Sequence, residues 1–424
     1  MTGLTQNTVP GDDTVLAAYT EVRQATLALC ETLENEDFGL QAMPEASPPK
    51  WHLAHSSWFF ETFILKPFAS DYRPFHPEYE YLFNSYYHGI GAQYPRAQRG
   101  LLSRPTVREV YQYRAHVDAH MVVLLAQTDH PDREAILQRC ELGLQHEQQH
   151  QELLCTDIKY SFSFNPLYPA LRKAPPSVTV VADRPLRFLD FEAADMRMGY
   201  AGNGFHFDNE VPAHDFHLPG FRFADRLVSN AEYLEFIADG GYTEPGLWLS
   251  DGWAWLQESN AVHPYYWARR DDDWFEYTLY GLQALIPELP VCHVNYYEAD
   301  AYARWCEKRL PTEQEWEAVC QRRDIAPSHA AISLHPCTVA DGEGITQMFG
   351  SLWQWTRSSY SPYPGYRPAA GAIGEYNGKF MCNQVVLRGS SCVTPPGHAR
   401  TSYRNFFYPG DQWQFSGIRL ADDL

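Results

Sequence analysis

The run His146-Glu147-Gln148-Gln149-His150 carries two imidazoles four residues apart in a window with helical periodicity. Four residues advance a helix by about 400°, so the two rings emerge about 40° apart and can grip one metal ion. A third candidate ligand, His55, stands far upstream in Trp51-His52-Leu53-Ala54-His55. The competing reading is packing or surface histidine, because a chain with 17 histidines meets an i,i+4 pair by chance readily.

Read literally, His146-Glu147-x-x-His150 is the zinc-hydrolase pattern H-E-x-x-H. Its extended form requires glycine at 153 and histidine at 156, where this chain has Leu153 and Thr156. The other zincin class needs a glutamate from a downstream helix, and no convincing candidate follows Tyr160. Glu152 lies about 200° around the helix from His150 and points away from a metal held by the pair. Three neutral imidazoles, with His55 as the third, are the better geometric expectation. A zinc hydrolase and a non-catalytic binding protein remain the readings from other classes.

The elements that must position these residues follow from composition and periodicity. The chain has 424 residues, a formal net charge of −20, 45% hydrophobic residues and 15% aromatics. Such a chain folds into two or three domains with real cores. Its acidity excludes a phosphate-backbone binder, so no nucleic-acid partner is expected. Nine scattered cysteines without a C-x-x-C, no basic apolar leader and no apolar run approaching 18 residues predict a soluble, cytoplasmic protein without a membrane anchor. The first ~160 residues read as four helices of an up-and-down bundle, one carrying His55 and the last carrying the histidine pair. The segment from Tyr72 to Arg104 reads as a long functional loop. Prolines at 166, 169, 175 and 176 mark a linker. The predicted domains are 1–165, a linker at 166–178, and 179–424. In the last, helices are expected over Ser229–Asp239 and Asn295–Arg309, followed by one capped by Thr312 with Glu315 closing the box.

The segment Arg309-Leu310-Pro311-Thr312-Glu313-Gln314-Glu315-Trp316-Glu317 resembles a hallmark of formylglycine-generating-enzyme-like domains. So do Gly350-Ser351-Leu352-Trp353-Gln354-Trp355-Thr356, Arg388-Gly389-Ser390-Ser391 and the ending Gly417-Ile418-Arg419. The first 160 residues resemble a DinB-type four-helix bundle. Together with Trp51–His55, His146–Glu152 and Tyr403-Arg404-Asn405-Phe406-Phe407-Tyr408-Pro409, the whole chain resembles the ergothioneine-biosynthesis sulfoxide synthases. The resemblance implies an α+β architecture: a DinB-like bundle followed by a C-type-lectin-like domain. It also implies a non-haem Fe(2+) that joins a thiol to the imidazole C2 of hercynine (Nα-trimethylhistidine), using O2, as a sulfoxide.

On that resemblance, His55, His146 and His150 form a facial three-histidine iron site. Copper is disfavoured, because the cysteine pair of formylglycine-generating enzymes is not evident. Tyr86 and Tyr87 resemble the active-site tyrosine pair of one branch, and a phenol near oxygen can deliver a proton. Phe406 and Phe407, with Trp413 or Trp355 near them, are candidate walls for the quaternary ammonium of hercynine. Asn405 and Gln149 are candidates to bond its carboxylate or imidazole. Arg96 and Arg99 are candidates to pin the carboxylate of the thiol substrate, with Arg104 a further one. The donor stays open between cysteine and γ-glutamylcysteine, tilted to cysteine by the tyrosine doublet. A relative that takes a selenosugar also stays open, as does the oligomeric state.

Overall fold

The structure is a computed structural model that describes residues 12–173, 185–327, 331–337, 344–375 and 377–424. It divides into two compact units. Unit 1 is Met1–Asn165 with Gly202–His206 and Pro368–Tyr376; unit 2 is Pro166–Ala201, Phe207–Arg367 and Asn377–Leu424. Part of the predicted linker, 174–178, lies outside the described residues.

Unit 1 is helical. Its elements are α1 (Asp12–Cys30), α2 (Pro49–Phe60), α3 (Lys66–Phe68), α4 (Tyr79–Phe83), α5 (Val107–Leu125) and α6 (Arg133–Ser163). Helix α2 starts at Pro49, where a missing N–H costs nothing. All twelve of its residues are buried, which suits a helix packed on several sides. It passes through a π-helical turn, Glu61–Leu65, into α3. Thr106 caps α5 in a reciprocal box with Glu109, whose carboxylate accepts the Thr106 N–H at 2.7 Å. Helices α1, α2, α5 and α6 pack as a bundle, with α6 lying against both α1 and α2. The predicted long loop is interrupted by α4 and by a 3-10 turn over Arg96–Leu101.

Unit 2 mixes small sheets with helices. Strands β1 (Phe188–Phe191), β2 (Ala194–Met198), β3 (His214–Leu218) and β4 (Phe221–Ala224) precede helices α7 (Asn230–Ala238) and α8 (Ser250–Ser259). Strands β5 (Trp267–Arg270), β6 (Asp273–Thr278) and β7 (Gly281–Ala284) lead to α9 (Tyr296–Trp305) and α10 (Glu313–Arg323). The chain closes with β8 (Trp353–Ser359), β9 (Val385–Gly389), β10 (Asn405–Phe407), β11 (Ser416–Gly417) and β12 (Ala421–Asp423). The sheets are β1-β4-β12, β10-β9-β8-β11, β2-β3 and β5-β6-β7. Trp316, Phe221, Phe223, Phe191 and Val319 fill one core. The second predicted helix of this unit ends at Trp305 rather than Arg309, because Glu307 turns left-handed at φ 55° and returns the chain to pair Arg309 with Ala421. Helix α8 falls outside the sequence expectation: Leu249 precedes it without a side-chain cap, and Asp251 in the first turn is a weak start signal by itself. Among the described residues, no helix is long and apolar enough to cross a membrane.

Candidate metal centre

The histidines are assembled by α2 and α6. The two helices approach closely because position 143, one turn before His146, is glycine; a Cβ there would stand 2.6 Å from the Phe60 ring. One nitrogen from each of His55, His146 and His150 falls within 4.8 Å of the others. His55 Nε2 and His146 Nε2 are 3.2 Å apart. Two imidazoles on adjacent corners of one ion, each at about 2.1 Å, would place their nitrogens about 3 Å apart.

Each ring is held. His55 Nδ1–H donates to the Phe83 carbonyl at 2.6 Å, which turns the Nε2 lone pair toward the cluster. The same ring is stacked between Trp51 and Trp58, with centroids at 4.5 Å and 5.4 Å. His146 lies against Phe59 at 4.8 Å. Burial lowers the His146 imidazole to about 3 despite the opposing Glu147 charge. Burial, then the neighbouring imidazoles, pushes His55 and His150 well below the usual histidine range. All three rings are therefore neutral at pH 7 with lone pairs to give, and this donor set suits a divalent first-row ion.

Glu147 faces the other way. Its carboxylate, fully buried, accepts from Arg23 at 2.8 Å, Arg114 at 2.5 Å and Thr26 at 2.6 Å. Burial alone would raise it, but Arg114 and Arg23 hold it down at about 2. A carboxylate so engaged cannot serve as the general base of an H-E-x-x-H hydrolase, which removes that reading.

The tyrosine loop follows α4. Tyr86 adopts φ 65°, a strained conformation for a bulky residue, and its hydroxyl accepts from Arg96 Nη1. Tyr87 is 3% exposed and packs on Trp58 at 5.5 Å and Phe63 at 5.1 Å. Burial, then the Glu375 charge, raises its phenol well above the usual tyrosine value, so it stays protonated. Glu375 clamps this loop by accepting the N–H groups of His88 at 2.9 Å and Gly89 at 2.8 Å.

Arg96 and Arg99 stand in different surroundings. Arg96 is exposed and engaged with Tyr86 and the Glu45 carbonyl. Arg99 is 2% exposed, lies 3.4 Å over the Trp51 ring and bonds Ser47 at 2.8 Å and Ser85 at 3.0 Å. Arg104 bonds the carbonyl of its own neighbour, Ser103. Gln149 is half-buried on α6 beside His150.

In unit 2, Asn405, Phe406 and Phe407 form β10, so the two phenylalanines point to opposite faces. Phe406 stacks on Tyr360 at 4.1 Å, with Phe380 at 6.1 Å, whereas Phe407 meets Trp413 edge-on at 6.2 Å. The pair therefore cannot wall one cage together, and Asn405 shares its face with Phe407. Trp355 is fully buried and donates to the Val294 carbonyl.

Sequence reasoning missed His52, Asp157 and Glu375. His52 Nδ1 lies 2.9 Å from His150 Nδ1, and its Nε2 lies 3.0 Å from Asp157. The only signal for it was its place three residues before His55 on one helix. Glu375 had no signal, being remote in sequence from the loop it holds.

Residues 191–329 and 328–424 match the family of sulfatase-modifying factor enzyme 1-like domains, and residues 18–154 match the DinB superfamily. Hercynine oxygenase of Mycolicibacterium smegmatis is 31% identical over 95% of this chain and 97% of its own length. Hercynine oxygenase of Mycobacterium tuberculosis is 30% identical, with 95% and 97% covered. Ergothioneine biosynthesis protein 1 of Schizosaccharomyces pombe is 30% identical over 51% of this chain and 27% of its own length.

Proposed function

Because the chain belongs to the hercynine oxygenase family of ergothioneine biosynthesis, we propose that it is an Fe(2+)- and O2-dependent sulfoxide synthase joining a thiol to C2 of hercynine. The observation that carries the reading is the largely buried cluster of three neutral imidazoles. The overall reaction balances: C2–H and S–H are lost, one oxygen atom goes to sulfur, and the other leaves as water with the two hydrogens. His55, His146 and His150 would hold the iron, which when bound supplies the redox centre for the two substrates and O2.

The chain's own groups do the rest. Arg99 is a buried cation bonded to neutral hydroxyls, and burial pushes its guanidinium down to about 9. The carboxylate of cysteine or γ-glutamylcysteine would give that charge a direct partner, where Asp157 acts only from beyond Ser47. Arg96 would support this indirectly, by holding the Tyr86 hydroxyl. Tyr87, kept protonated by burial, would give up the proton that commits oxygen to C–S bond formation, with Tyr86 the alternative donor. Gln149 would bond the hercynine imidazole.

The test is anaerobic iron(II) reconstitution, followed by hercynine, O2 and each donor in turn: cysteine, γ-glutamylcysteine and a selenosugar. Mass spectrometry reads the product. A sulfoxide of mass hercynine plus thiol plus oxygen, less two hydrogens, supports the reading. Coupling only with the selenosugar would move the chain to a selenium-specific role, and hercynine left untouched by every donor would overturn the reading.

A further inference from the structure

Behind the three histidines lies a second layer on the same two helices. His52 sits three residues before His55 on α2, and Asp157 sits seven after His150 on α6, two turns along the same face. Both are buried, at 2% and 4% exposure. Asp157 Oδ2 accepts the Ser47 backbone N–H at 2.8 Å and lies 3.0 Å from His52 Nε2. His52 Nδ1 lies 2.9 Å from His150 Nδ1. Ser47 in turn accepts from Arg99 Nη1 at 2.8 Å.

The proton inventory of this chain of contacts is restricted. A carboxylate can only accept, so His52 Nε2 carries a hydrogen. Only one hydrogen fits between two nitrogens 2.9 Å apart. If it belongs to His52, then His150 accepts at Nδ1 and its own proton is left on Nε2, where it blocks a metal. If it belongs to His150, then His52 accepts it and His150 Nε2 presents a lone pair. Metal binding at His150 is compatible with the second arrangement alone.

We infer that His52 and Asp157 are positioning residues that select the metal-binding tautomer of His150. Asp157 orients His52, and His52 accepts the Nδ1 proton of His150, so the ligand's Nε2 is freed before any metal arrives. His55 reaches the same state by a simpler route, donating Nδ1–H to the Phe83 carbonyl. An outer-sphere carboxylate or carbonyl behind a ligating histidine sets its orientation and donor strength, and its removal typically costs about 10–100-fold in metal affinity. The inference rests on the three-histidine metal reading above.

The experiment is cobalt(II) binding to the full chain, followed by calorimetry and by the visible d–d spectrum, with thermal melting as the check on folding. His52→Phe keeps the ring volume and removes the acceptor. Asp157→Leu removes the carboxylate, while Asp157→Asn can keep an oxygen at the position that accepts from both Ser47 and His52. The expected result is a 10–100-fold loss of affinity in His52→Phe and Asp157→Leu, near wild-type affinity in Asp157→Asn, and no further loss in the double variant His52→Phe/Asp157→Leu. Cobalt affinity and spectrum unchanged in a folded His52→Phe would overturn the inference. If His52→Phe does not fold, equal affinities in Asp157→Leu and Asp157→Asn would overturn it. A wild-type chain that takes up no cobalt, or takes it up equally well as His150→Ala, breaks the metal reading itself and the inference with it.

Discussion

Glu147 and Arg114 form a fully buried ion pair at 2.5 Å, one residue from a candidate metal ligand and directed away from it. Arg23 completes the arrangement from α1 at 2.8 Å. The carboxylate of the H-E-x-x-H string thus ties α6 to α1 and α5, and the chemistry is left to the histidines on the other side of the helix.

Glu147→Gln should therefore be a stability variant. Arg114 loses its counter-charge inside the bundle and Arg23 keeps only Asp118, an effect of about 3–5 kcal/mol. Denaturant unfolding should show that loss, while the folded fraction binds iron(II) within about threefold of wild type. Unchanged stability with abolished turnover would return the glutamate to a catalytic role.

Tyr87→Phe should fold, bind iron and bind hercynine, yet divert the thiol to oxidation without coupling. The buried phenol is held protonated, so the proton is available across the neutral range. Tyr86→Phe should act more mildly, by releasing Arg96. The ratio of sulfoxide to oxidised thiol, measured by mass spectrometry, decides. A wild-type ratio in both variants would make the tyrosines packing residues.

Arg99→Met should raise KM for the thiol at least 10-fold and leave the hercynine KM nearly unchanged, because the lost group is a charge-assisted partner for the thiol's carboxylate. Steady-state kinetics with each substrate varied in turn checks this. Equal effects on both substrates would point to a structural role through Trp51 and Ser47.

Glu298 gives a pH prediction away from the site. Burial raises its carboxyl from an ordinary 4.5 to about 7, against the Tyr242 hydroxyl and the Asn295 N–H, which lower it. A folded-state value above the unfolded one means that its stability contribution is complete below pH 4.5 and is lost as pH rises through 7. Glu298→Gln mimics the protonated form, so it should gain on wild type as pH rises from 5 to 8, by about 3 kcal/mol at most. Melting curves at both pH values measure it; a gain that shrinks toward pH 8 would contradict the shift.

The clustering of His146 and His150 was legible because an i,i+4 pair needs only a helix to bring its rings together. The nine-residue string Arg309–Glu317 was legible for another reason: nearly every polar member is consumed by the fold. Arg309 bonds Glu315 at 2.7 Å, Thr312 caps α10, Glu313 holds Arg404 at 2.8 Å, Trp316 bonds Gln354 at 2.8 Å, and Glu317 pairs with Arg388. What escaped depends on tertiary approach. His52 gains its role from Asp157, and the Tyr86–Gly89 loop gains its clamp from Glu375, 286 positions from Gly89. Nor could periodicity foresee that β10 splits Phe406 from Phe407, because the strand spans three residues in an irregular stretch.

The most direct test of the account is iron content and product in wild type against His150→Ala. Both proteins are reconstituted anaerobically with iron(II), desalted, assayed for iron, and given hercynine, cysteine and O2. The account predicts one iron per wild-type chain with sulfoxide formed, and in His150→Ala a folded chain that has lost tight iron and turnover together. Full sulfoxide formation by His150→Ala would contradict it.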